Sequence, residues 1–118
     1  MGMRIFFEAR SFDVETKYGK ISDSDRERLE FDIMLDRGEV ITGTGGLKQV
    51  RCGLGGCYGK KHGWQVVFAD YPEYSVTFLL IRFPDKHIKA LSRYELKKLK
   101  EAKKRIDSLV ELKYGKEK

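Results

Sequence analysis

The apolar positions of this chain repeat with two different periods, and each change of period marks an element. Residues 3–12 (MRIFFEARSF) concentrate Ile and Phe and predict a first strand. Residues 13–20 are polar and read as a loop or a short irregular helix. Ser22 or Ser24 can then cap a helix, with Asp23, Asp25 and Glu27 favouring its positive end. That helix runs through Leu29, Phe31, Ile33, Met34 and Leu35, places Leu29, Ile33 and Met34 near one face, and stops at Gly38 as a C-terminal glycine.

The period then shortens. Residues 47–52 predict a strand, and residues 53–63 a glycine-rich basic hairpin loop. In residues 64–71 (WQVVFADY) both alternating sets are largely apolar, which predicts a central strand packed on each side. Residues 72–75 form a turn, and residues 76–83 (VTFLLIRF) a second buried strand, antiparallel to its predecessor because the connection is so short. The last element is a helix. Ser92 and Glu95 fit a capping box, and Leu96, Leu99, Ala102, Ile106, Leu109 and Val110 follow at helical spacing. Lys97, Lys98, Lys100, Lys103, Lys104 and Arg105 occupy the opposite face, and the chain frays from about Tyr114. The order strand, helix, three strands, helix predicts one α+β domain. Its small antiparallel sheet has about four strands, with helices on one face and the basic loop on the other.

Glycine changes the picture in the middle of the chain. Nine of the 12 glycines fall between Gly38 and Gly63, so the flanks are regular elements and the middle is built from turns. Three glycines in the four residues 43–46 mark a sharp, specified turn, because glycine serves where φ must become positive or backbones must approach closely.

Charge adds a second asymmetry. The net charge is +6, but residues 1–40 hold 7 basic and 10 acidic groups, and the remainder holds 17 basic and 8 acidic. A basic C-terminal two-thirds suits a polyanionic partner, above all nucleic acid. A solvated lysine-rich helix is the alternative. No apolar run approaches the roughly 18 residues of a membrane helix. With no hydrophobic signal region at its start, the chain is read as cytoplasmic. Cys52 and Cys57 have only His62 and His87 as other soft ligands, too few for a zinc site. They are read as inert thiols, with no metal and no cofactor expected.

The segment Gly43-Thr44-Gly45-Gly46-Leu47-Lys48-Gln49-Val50-Arg51 resembles a glycine-turn motif of bacterial toxins of the RelE/HigB class. The likeness continues through the basic loop, Gly63-Trp64-Gln65-Val66, Phe78-Leu79-Leu80-Ile81, and the helix opened by Ser92, covering about residues 29–105 in order. The resemblance implies a RelE-like fold and a ribosome-dependent mRNA endoribonuclease held inactive by a cognate helix-turn-helix antitoxin. A gyrase-inhibiting, ParE-like relative, a degenerate non-cleaving toxin and a plain basic nucleic-acid-binding module are the alternatives. The chain departs from the family at Gln65, where a strand arginine is usual, and after the Leu-Leu strand, where Arg82-Phe83-Pro84-Asp85-Lys86-His87 stands.

Metal-free RNA cleavage sets the chemistry to look for. The 2′-hydroxyl attacks the neighbouring phosphate, a proton leaves that hydroxyl, another reaches the 5′-oxygen, and the charged phosphate is stabilised. Arg grips two phosphate oxygens with its planar fork, Lys acts as a point charge, and His titrates near neutrality. Arg82 is the candidate for transition-state charge and His87 for acid or base, with Lys86 beside it. Lys48, Arg51, Lys60, Lys61, His62 and Gln65 are the candidates for binding RNA. Lys48 and Arg51, three residues apart on one strand, are expected on opposite faces.

Overall fold

The computed structural model describes residues 4–13, 22–52, 64–84 and 91–115. In chain order the elements are β1 (Ile5–Glu8), α1 (Arg10–Asp13), α2 (Asp23–Met34), β2 (Glu39–Val40), β3 (Lys48–Cys52), β4 (Trp64–Tyr71), a 3-10 turn (Pro72–Tyr74), β5 (Val76–Pro84) and α3 (Arg93–Tyr114). The α+β class is as expected. The sheet has five strands rather than about four, in the order β1-β5-β4-β3-β2, and it is mixed. β1 runs parallel to β5, while β2, β3, β4 and β5 pair antiparallel. The two additions were hard to see in the sequence. β2 has only two residues, and the end of the expected first strand turns instead into α1.

Helices cover both faces of the sheet, not one. On the first face Val50, Val66, Phe68 and Leu79 pack with Phe12 of α1 and Leu29 and Ile33 of α2. On the second, Leu47, Val67, Ala69, Tyr71 and Leu80 pack with Val110, and Leu96, Leu99, Ala102 and Ile106 of α3 lie against them. The apolar character of both alternating sets in β4 and β5 is thereby explained, since each strand is central and each face meets helices.

Local chemistry sets the ends of the helices. The Ser22 hydroxyl accepts from Asp25 N (3.1 Å) and starts α2. α2 ends before Gly38. Asp36 takes the left-handed conformation at φ 57°, with Asp36 N donating to Ile33 O (2.9 Å) and Arg37 N to Asp32 O (3.1 Å). This is the paired-bond termination that glycine usually supplies, and a short polar Asp tolerates it. Gly38 has a different task, since a Cβ there would lie 2.7 Å from the Phe68 ring. Met34, expected beside Leu29 and Ile33, faces solvent. At α3 both capping-box bonds are present, Glu95 N to Ser92 Oγ (3.1 Å) and Ser92 N to Glu95 Oε1 (2.8 Å).

The glycine turn docks the last helix. Gly43, Gly45 and Gly46 have φ of 90°, 79° and 113°. Thr44, fully buried between them, donates to Ile41 O (2.7 Å) and accepts from Leu47 N (3.1 Å). Side chains of Leu96, Lys100 and Lys103 lie just outside the positions that Cβ atoms on these glycines would occupy. The motif therefore both turns the chain and leaves room for α3.

Candidate functional site

The sheet register gathers three strand ends. Cys52 pairs with Trp64, and Trp64 with Pro84. From these paired positions depart the two segments 53–63 and 85–90, which carry Lys60, Lys61, His62, Lys86 and His87. All five candidates lie outside the described residues. One step into the sheet, Arg51 pairs with Gln65, and Gln65 with Phe83.

Alternation along β3 puts Arg51 and Gln49 on the α3 side, with Gln65 of β4 directly across from Arg51 on the same face. The Gln65 side chain is buried, and its Nε2 donates to Gln49 Oε1 (2.8 Å). Arg51 is exposed. An exposed guanidinium beside a bonded amide pair is an arrangement able to grip a phosphate, because the arginine fork reaches two oxygens. Gln49 did not figure among the candidates. Period-two spacing from Arg51 is the signal that points to it.

Lys48 lies on the opposite face of β3, as three-residue spacing requires. Its Nζ meets Asp36 Oδ1 at 3.1 Å, at the end of acidic α2. Lys48 and Arg51 are thus not brought together.

Arg82 is also separated from Arg51 and Gln65, through a slip in pairing. Val67 faces Ile81 but Phe68 faces Leu79, so β5 carries one extra residue. Leu80 and Ile81 consequently both join the α3-side core, and Arg82 emerges on the α1–α2 side opposite Val66. There it is buried. Its Nε donates to Phe12 O (3.0 Å), and its guanidinium lies 5.6 Å from the Phe12 ring centre. Arg26 of α2 approaches the same ring at 5.8 Å and also pairs with Glu8 of β1. The contacts of Arg82 fasten α1 to the sheet, and no alternation rule shows a one-residue slip in advance.

A second polar cluster ties α3 down. Tyr71 Oη donates to Asp107 Oδ1 (2.5 Å), which also receives Lys103 Nζ (2.5 Å), and Lys103 lies over the Tyr71 ring. Burial, and then the neighbouring Asp107 carboxylate, push the Tyr71 hydroxyl well above the ordinary phenol range. Lys103 is thereby held inward and neutralised.

Charge is sorted across the sheet. α2 contains five acidic and two basic residues, and α3 eight basic and four acidic. Among the described residues no group of three or more His, Cys, Asp and Glu gathers to hold a metal. No helix among them is long and apolar enough to cross a membrane. Comparison with protein-family models and with curated proteins finds no match.

Proposed function

We propose that the protein is the toxin component of a toxin–antitoxin pair, a cytoplasmic, ribosome-dependent mRNA endoribonuclease of RelE/HigB type. The observation that carries this reading is the register Cys52–Trp64–Pro84. It brings together the strand ends that flank the two histidine- and lysine-bearing segments, one residue along β3 from the exposed Arg51. In this reading Arg51 grips the scissile phosphate, and His87, with Lys86 beside it, exchanges protons with the 2′-hydroxyl and the 5′-oxygen. Lys60, Lys61 and His62 hold the flanking phosphates. Arg82, bonded to Phe12, supports the scaffold rather than the phosphate.

One observation favours a second reading, a non-cleaving relative that acts on gyrase or has lost its activity. Where the family motif carries an arginine, Gln65 is buried and bonded to Gln49. A cleavage assay separates the two. A defined mRNA is translated in a purified system, and new 5′ ends are mapped by primer extension. Ribosome-dependent cuts that fall about a hundredfold or more with Arg51→Ala or His87→Ala are expected, the size of effect ordinary for one charge-stabilising or proton-transferring group. Absence of cuts from a protein that still arrests growth overturns the nuclease reading in favour of the second.

A further inference from the structure

We propose that the solvent face of α3 is a sequence-independent docking surface for the phosphodiester backbone of double-helical, folded RNA. The choice of RNA rests on the ribosomal reading above; the cationic face itself does not.

Three observations carry the proposal. First, the lysines of α3 are sorted. Lys103 turns inward and is neutralised by Asp107, whereas Lys97, Lys98, Lys100, Lys104 and Arg105 remain exposed. Second, no ion pair among the described residues engages this exposed set. Glu101 stands four residues from both Lys97 and Arg105, the spacing at which helical ion pairs form, yet bonds to neither. Among the described residues Lys97, Lys100, Lys104 and Arg105 make no ion pair. Unlike the Arg26–Glu30 pair of α2, these cations are left for an outside anion. Third, acidic α2 lies on the far side of the sheet, so the field of the molecule directs α3, not α2, toward a polyanion.

The same face says which form of nucleic acid fits. A straight helix of 22 residues spans roughly 33 Å, with Lys97, Lys100 and Lys104 rising along it at three- and four-residue steps. Single strands are held on aromatic stacking platforms within basic grooves. This face has one exposed aromatic ring, Tyr94, and the Lys98 ammonium already sits 5.3 Å from its centre. Charge without stacking suits the backbone of a duplex, recognised by shape and phosphates rather than by bases.

The test is binding of the full chain to a labelled, mixed-sequence RNA duplex across a salt series, with a DNA duplex of the same sequence in parallel. Lys104→Gln is expected to lower the salt slope by about 1, and Lys97→Gln/Lys100→Gln/Lys104→Gln by about 3, with about tenfold or more loss of affinity near physiological salt. Arg28→Gln removes one equal charge from exposed α2 and is expected to change neither. A salt slope that responds equally to Arg28→Gln and Lys104→Gln overturns the proposal, because net charge alone would then act. An unaltered triple variant, no binding by the unmutated protein, or tighter binding to the DNA duplex overturns it too. The readout needs no cleavage. An inactive nuclease that still binds through α3 refutes only the catalytic reading, and a cleaving protein indifferent to the triple change refutes only this one.

Discussion

Single side chains hold this fold at a few polar points set within apolar layers. Thr44, Arg82 and Tyr71 are each buried, and each finds a partner: Ile41 O and Leu47 N, Phe12 O, and Asp107 respectively. Such groups matter more than their number suggests, because a buried polar atom left unpaired costs about 1–3 kcal/mol. Tyr71 also makes stability depend on pH. Its folded-state pKa is raised, so the contribution is fully present below the unfolded value of about 10 and is lost as pH rises through the folded value. Melting temperatures measured between neutral and strongly alkaline pH should therefore fall more steeply for the unmutated protein than for Tyr71→Phe. Parallel curves would show that Tyr71 does not ionise on unfolding. Residue roles of this kind were only partly legible. Thr44 lay in a recognisable motif, but Arg82 sat on a strand whose phase a one-residue slip reversed.

Elements were more legible than residues. α3 was readable because two independent signals agreed, the Ser92–Glu95 capping box and the helical spacing of its apolar positions. Ser92→Ala removes the hydroxyl acceptor of the box and should cost about 1 kcal/mol in urea unfolding. Leu109 belongs to the same apolar stripe by spacing yet is 60% exposed, so Leu109→Ala should change stability by no more than about 0.5 kcal/mol. A large loss at Leu109 would mean that a partner or second copy covers that side of the helix in solution. β2 and α1 are not legible in the sequence because two- and four-residue elements span only about one repeat of the strand and helix periods, and a single repeat shows no pattern. The cap and acidic first turn of α2 are legible in the sequence, but its end is not at Gly38. The left-handed position went to Asp36, and glycine was required by the Phe68 ring instead.

At the scale of the whole molecule, the sheet is a wall between two cores and two charge regions. That arrangement makes a sharp expectation for the adjacent residues Leu79 and Leu80, which point to opposite sides and are both buried. Leu79→Ala and Leu80→Ala should each destabilise by about 2–5 kcal/mol in denaturant titrations, the usual cost of a buried leucine cavity. A sheet covered on one face only would tolerate one of the two changes. The acidic N-terminal and basic C-terminal portions of the chain become two opposed surfaces, α2 on one side and α3 on the other.

The sequence by itself determined the α+β class, the central place of β4 and β5, the long basic helix and its cap, and the sharp turn at residues 43–46. These rest on local rules, namely side-chain period, capping chemistry and the conformational freedom of glycine, which act within a few residues. Tertiary structure alone decided that β1 joins parallel to β5, that helices cover both faces, and which side Arg82 takes. It also set Gln49 against Gln65, and it fixed the register in which Cys52 meets Trp64 and Trp64 meets Pro84. Each of those outcomes depends on pairing between residues far apart in the chain, where a shift of one position exchanges the two faces and no local pattern records it.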